Sequence, residues 1–356
     1  MLWRAYAFLS HGRDRIGMQR RRSSRRPPLV KNEKDILRIL EKADEAIWLA
    51  SALSLCAECG LLLSLSEPIK IDVLARKHSL PQPLVRNFID LLIGLGLVYE
   101  DDEQVVSGTA LLPFTASENF RAFRASLRAP LLQSATFHRR VREGSFTLEG
   151  WTHTDDTIIE AQADLTQMWA RHSLSKLRYL PGLISRLESP GAALLDVGAG
   201  AAGLSIILCE NFPQLSAVAL EPAPHPAKLG AARVEAAKLE HRVRFRQQYV
   251  ENIEDIAAFD LVFVPQIFLP DSIIEEAIAR LYRAMRPGAW MLMAVLGREG
   301  HDVSSVIVRL KNLVWGGNTR TVEKLRPRLA AVGFNPVIRA PGSQAVQMIC
   351  ARRPPF

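Results

Sequence analysis

The sequence predicts an α/β chain: a C-terminal Rossmann-like, doubly wound sheet of seven strands, joined to an N-terminal, mostly helical winged-helix domain. Three observations carry this reading. Buried-looking apolar runs alternate with helical stretches from Leu194 onward. The run Leu194-Leu195-Asp196-Val197 leads directly into Gly198, Gly200 and Gly203, the spacing of a strand-to-helix turn where a ligand can approach the backbone. Two short strands close the chain with no helix between them, as in an antiparallel hairpin.

The elements follow in order. Ala217–Glu221 reads as the second strand, Val243–Arg246 as the third and Phe259–Val264 as the fourth, with a helical stretch at Ala227–Glu240. Ile273–Met285 has helical periodicity, Arg286-Pro287-Gly288 breaks it, and Trp290–Val295 is the fifth strand. Leu325–Ala331 is helical with Gly333 as its cap, and Val337–Arg339 and Ala345–Ala351 are the closing pair. Upstream, Glu33–Cys59 forms a long helix with a broad apolar face that includes Ile36, Leu40, Ile47 and Trp48. Helices at Ile71–His78 and Pro83–Gly94 precede a hairpin of Leu97–Glu100 and Gln104–Ser107. That layout also suits a DNA reader, but Pro81–Leu97 offers only Arg86, offset by Asp90, and the wing tip is acidic. No nucleic-acid partner is expected. Such apolar helices predict a homodimer through residues 33–107.

The net charge of +8 resides in one place. Residues 1–31 hold Arg4, Arg13, Arg15, Lys31 and the Arg20–Arg26 cluster against Asp14, an excess equal to that of the whole chain. Residues 1–32 are therefore expected to be a disordered basic tail on an electroneutral body, with Met18 as an alternative start. No apolar run reaches the ~18 residues of a membrane span. Cys56, Cys59, Cys209 and Cys350 give neither a disulfide framework nor a zinc site, and no metal is expected. A cytoplasmic protein is predicted.

Asp196 narrows the ligand. A phosphate at the helix N-terminus gains nothing from an acid at the end of the preceding strand. A cofactor with a cationic amino-acid moiety does, and S-adenosylmethionine is one. Glu221, 25 residues after Asp196, can accept both ribose hydroxyls.

The Asp196-x-Gly198-x-Gly200 run resembles the first motif of class I methyltransferases. With Glu58-Cys59-Gly60-Leu61-Leu62, Leu165-Thr166-Gln167-Met168 and Trp315-Gly316-Gly317-Asn318-Thr319-Arg320-Thr321, the chain from about residue 33 resembles the small-molecule O-methyltransferases of the caffeate and acetylserotonin type. The resemblance implies four segments: the tail (1–32), a winged-helix dimerisation domain (33–110), a helical connector lining the acceptor pocket (111–185) and a cofactor-binding domain (186–356). It implies cofactor contacts from Asp196, Gly198, Gly200, Glu221, Gln248, Tyr249 and Gln266, and acceptor contacts from Met168 and Trp169.

The departures are as informative. The family's histidine base would fall in Ile267-Phe268-Leu269-Pro270-Asp271, which has none. Thr319 replaces the acid that orients that base, and a second orienting acid is absent from Ala294-Val295-Leu296-Gly297. Three readings stay open: an acceptor that needs only positioning, which can be worth ~7–11 kcal/mol; a relocated base; or a cofactor-binding relative that transfers no methyl group. The favoured expectation is O-methylation of a small molecule driven by positioning, with N- or C-methylation as the alternative and a winged-helix regulator as a remote one. For a relocated base, His172 is the first candidate because Met168 lies one turn before it. His153, read as part of a solvated loop, is second and His301 third; His225, in a proline-rich turn beyond Glu221, is expected to serve the loop.

Overall fold

The computed structural model describes residues 32–356 except 103, 109, 148–150, 297–299, 318–319 and 341–345. Residues 1–31, and so nearly all of the expected basic tail, lie outside the described residues, as does Thr319. The chain forms two compact units, one reaching to Arg142 and including Glu160–Trp169, the other made of Glu143–Ile159 and Ala170–Phe356.

The first unit opens with α1 (Glu33–Glu58), whose N-cap Asn32 accepts the Asp35 amide at 3.1 Å, with Glu33 and Asp35 in the first turn where the helix dipole favours acids. Gly60, at φ +79°, turns the chain into the short α2 (Leu61–Ser64). Next come β1 (Ile69–Lys70), α3 (Ile71–Lys77), α4 (Gln82–Gly94), β2 (Val98–Asp101) and β3 (Gln104–Ser107). The hairpin forms as expected, with Val98 opposite Ser107 and Asp101 opposite Gln104, and β1 adds a third strand beside β3. At two residues, β1 is too short to show the alternation that marks a strand in sequence. Leu61, Leu65, Leu74, Val85, Ile89 and Leu92 fill the core between these elements. Arg86 on α4 is held at 2.7 and 2.8 Å by Glu100 on β2, a closer partner than the Asp90 that the sequence suggests. Helices α5 (Leu111–Thr115) and α6 (Glu118–Arg142) complete the unit, joined by the middle of α7 (Asp156–Leu177).

The second unit begins its sheet after α8 (Leu183–Leu187). The strands are β4 (Ala193–Val197), β5 (Ser216–Leu220), β6 (Val243–Arg246), β7 (Phe259–Pro265), β8 (Met285–Val295), β9 (Val337–Ala340) and β10 (Gln347–Arg352). Their spatial order is β6-β5-β4-β7-β8-β10-β9. The first five are parallel and β10 runs antiparallel to both its neighbours. Crossovers are supplied by α9 (Gly203–Asn211), α10 (Pro224–Ala236), α11 (Ile274–Ala284), α12 (Val303–Val314) and α13 (Val322–Val332). Parallel strands covered on both faces read as continuous apolar runs, which is why β7 is buried along its whole length.

One expectation needs correction. Arg286-Pro287-Gly288 does not delay the fifth strand: β8 starts at Met285, which pairs with Phe259 across a register shift. In the glycine turn, Gly198 (φ +62°) and Gly200 (φ +53°) take the left-handed conformation, and so does Ala202 (φ +59°), the N-cap of α9.

At the amino end of the sheet, buried Asp260 accepts the Ala193 amide and hydrogen bonds from Arg186 and Arg286, fastening β4, β7, α8 and β8. Asp260 thereby acts away from the carboxyl ends, where β5 and β7 flank β4 at the reversal of strand order, the place where open α/β sheets bind their ligands.

Candidate functional site

Asp196 lies one residue before the end of β4 and is 2% exposed. Burial raises its carboxyl pKa to about 7, opposed by a hydrogen bond from the Ser205 hydroxyl at 2.7 Å; the nearby Glu221 charge also raises it. Ser205 is fully buried in the first turn of α9, so the helix that follows the glycines holds the acid that precedes them.

Glu221 stands immediately beyond β5. Its Oε2 accepts the Gly200 amide at 2.9 Å and its Oε1 accepts the Ala223 amide at 3.0 Å. Burial pushes this carboxyl up from its ordinary range, and the two amides pull it back. Neither Asp196 nor Glu221 has a cationic partner among the described residues. Two buried carboxylates without a countercharge, on adjacent strands beside a glycine turn, suit a ligand that brings its own cation and hydroxyl donors.

The turn itself leaves room for such a ligand. A Cβ on Gly200 would meet no atom within 4 Å, and one on Gly198 would meet only Pro265, the last residue of β7, at 3.9 Å. Gly230 on α10 packs from behind: a Cβ there would lie 2.9 Å from the Gly200 carbonyl oxygen and 2.3 Å from the Phe245 ring.

The other expected cofactor residues are placed differently. Gln248 spends its amide on its own loop, donating from Nε2 to the Asn252 carbonyl at 2.6 Å, and Tyr249 is exposed. Gln266 is fully buried in the turn of 3-10 helix at Gln266–Phe268 that leaves β7. Its Oε1 accepts from Arg320 at 2.8 Å, while its Nε2 has no partner among the described residues.

Arg320, which the sequence reading did not single out, organises this edge. Buried to 3% exposure, it donates to Asp271 Oδ1 at 2.8 Å and to the carbonyls of Gln266 and Leu269. A cation in a Gly-Gly-x-x-Arg run was the available signal. Gly317 seats the same connection: a Cβ there would fall 1.9 Å from the Ile267 carbonyl oxygen.

That contact brings Trp315 against Phe268, with ring centroids 5.6 Å apart. Trp151 completes the group, 5.1 Å edge-on from Phe268 and 6.3 Å from Trp315, and its other neighbour is His153 at 4.6 Å. His153 is 6% exposed, so this side chain is buried against Trp151 rather than solvated as expected, while Thr154 and Asp155 beyond it are exposed. Of the remaining candidates, His172 is exposed on α7, while Met168 and Trp169 are half-buried on the part of α7 that belongs to the first unit. His301 is exposed, and His225 meets Asp156 at 2.5 Å.

Residues 194–288 match the family described as "Methyltransferase domain". The chain is matched there over about a quarter of its length. It is similar to the ubiquinone biosynthesis O-methyltransferases of Rhodopseudomonas palustris and of a Bradyrhizobium species, 27% and 25% identical over 118 residues. Those matches take in 33% of this chain and 45% of each relative, so the chain spans just under half the length of the curated relatives it matches. Among solved structures it is similar to human N-acetylserotonin methyltransferase in complex with SAM (TM-score 0.66, 15% identity, 92% of this chain and 100% of that one). It also resembles the mitomycin 7-O-methyltransferase MmcR (TM-score 0.60, 20% identity, 90% and 97%). At those identities the likeness shows the fold, and it extends over about nine-tenths of this chain.

Proposed function

We propose that this chain is an S-adenosylmethionine-dependent methyltransferase acting on a small-molecule acceptor, most simply by O-methylation in secondary metabolism. The observation that carries the proposal is the pair of buried, cation-free carboxylates, Asp196 and Glu221, on either side of the glycine turn. Asp196 would face the ammonium of the methionine moiety and Glu221 the ribose hydroxyls, each Glu221 oxygen keeping a lone pair beyond the amide it already accepts. The cofactor supplies a methyl group activated by a positively charged sulfur. The chain's residues bind it, orient it and exclude water; a dry, oriented encounter is itself worth ~7–11 kcal/mol. Oxygen as the receiving atom is supported by the names of the similar proteins.

The working form in this proposal is a homodimer through the winged-helix region, residues 33–107. Its support is α1, where Ile36, Leu40, Ile47 and Trp48 are exposed, Trp48 at 69%. The compartment in this proposal is the cytoplasm: the four cysteines are free thiols, and burial raises those of Cys56, Cys209 and Cys350 to about 12, so they are not reactive. No helix among the described residues is long and apolar enough to cross a membrane.

The test is a mass-spectrometric screen of purified protein with methyl-labelled S-adenosylmethionine against phenols, carboxylates and heterocyclic amines. Label on a hydroxyl oxygen is the expected result. Label on nitrogen or carbon overturns O-methylation, and a protein that binds the cofactor yet labels nothing is a non-transferring relative.

A further inference from the structure

Methyl transfer to a hydroxyl leaves a proton to be removed, and the candidate site supplies few groups that could take it. Asp196 and Glu221 face the cofactor in the proposed reading. Asp271, in the loop after β7, is occupied by Arg320. The rest of that loop, Gln266, Ile267, Phe268, Leu269 and Pro270, carries no titratable side chain. One buried titratable group does lie against it, through a continuous set of ring contacts. His153 packs at a tilt against Trp151, Trp151 meets Phe268, and Phe268 belongs to the turn leaving β7, beside the β4 end that holds Asp196. Pro265, which starts that turn, is also the residue nearest the space over Gly198.

We propose that His153 is the proton acceptor for an aromatic hydroxyl seated against Trp151, Phe268 and Trp315. The inference rests on the methyltransferase reading above. The box offers three aromatic rings, which favour a planar ring by offset or edge contacts. An imidazole at its edge is the side chain whose ordinary pKa allows it to receive a proton near neutrality. In the step, the acceptor oxygen forms a bond to the methyl carbon while the carbon–sulfur bond breaks and its electron pair goes to sulfur. The hydroxyl proton passes to the imidazole of His153 and from there to water.

The experiment uses 4-nitrophenol, whose ionised form is yellow, added to the full-length protein loaded with S-adenosylhomocysteine and buffered below the phenol's own ionisation. Equilibrium dialysis measures how much binds and absorbance measures how much of the bound phenol is ionised. Wild type is expected to bind the probe and turn it yellow. His153→Gln is expected to bind S-adenosylhomocysteine unchanged by calorimetry and still hold the probe, with the ionised fraction falling about tenfold or more, the effect of one pKa unit. Equal colour in wild type and variant overturns the proposal. So does a wild-type protein that leaves the bound probe colourless or fails to bind it, a readout that stands even where the variant does not fold. Loss of S-adenosylhomocysteine binding by wild type strikes the cofactor reading instead, and the 4-nitrophenol titration without cofactor then still reads His153 alone.

Discussion

The Gly200 amide donates to the Glu221 carboxylate across 2.9 Å, so the acid at the end of β5 also closes the glycine turn at the end of β4. In the proposed reading, ligand contact and loop shape are thereby tied to one side chain. Glu221→Gln turns one accepting oxygen into a donor that faces either the Gly200 or the Ala223 amide. Loss of a charge-assisted hydrogen bond costs about 1.5–3 kcal/mol, or roughly 10- to 150-fold in affinity. Calorimetric titration with S-adenosylhomocysteine is expected to show that weakening together with a lowered melting temperature. A variant that binds normally removes Glu221 from the site.

Asp196 gives the site a pH dependence whose sign is fixed. In the unliganded protein its carboxyl is raised from 3.8 to about 7, chiefly by burial. A folded-state pKa above the unfolded one means that stability from this group is present below the unfolded pKa and is lost as pH rises toward about 7. A bound ammonium favours the ionised carboxylate and reverses the preference. Affinity for S-adenosylhomocysteine is therefore expected to rise as pH rises through about 7 and then to level off, with proton release on binding below that point. Titrations in buffers of different ionisation enthalpy read the released proton directly. In Asp196→Asn both the affinity slope and the stability slope should flatten.

Gly317 is a position where a single methyl group is expected to be costly. The added Cβ would collide with the Ile267 carbonyl oxygen, and backbone cannot move aside as a flexible side-chain end can. Gly317→Ala is expected to destabilise by about 1–3 kcal/mol, the usual range for forced overpacking. Denaturant unfolding gives the energy, and tryptophan fluorescence reports the displacement of Trp315 from Phe268. Wild-type stability in the variant would mean that the α12–α13 connection does not hold that approach.

The exposed apolar face of α1 predicts assembly. A second copy covering Trp48 and its neighbours should bury an obligate-type interface of about 2,000 Å² or more. Light scattering is expected to give a dimer at micromolar concentration, and Trp48→Glu, which puts a charge on that face, a monomer. A wild-type monomer under those conditions contradicts the assembly.

Much of the second unit was legible because its strands are buried on both faces and read as unbroken apolar runs; Leu194–Val197 and Phe259–Val264 each fall within a residue of the observed strand. Asp196 and Glu221 were legible because a strand-end acid beside glycines is a local pattern. Ala202 was not, because a left-handed alanine leaves no compositional mark. His153 was misread for a different reason: Trp151-Thr152-His153 has the polarity of a loop, but His153 packs on Trp151, and Trp151 meets Phe268 and Trp315, which only the folded sheet brings to it.

The central claim is that the crevice over β4 and β5 takes S-adenosylmethionine, and one titration tests it most directly. Purified wild-type protein is titrated by calorimetry with S-adenosylmethionine and, separately, with a nicotinamide dinucleotide, alongside Asp196→Ala. The account predicts saturable binding of S-adenosylmethionine by wild type, no binding of the dinucleotide, and an affinity loss of roughly 10- to 150-fold in the variant. Binding of the dinucleotide in place of S-adenosylmethionine would contradict it.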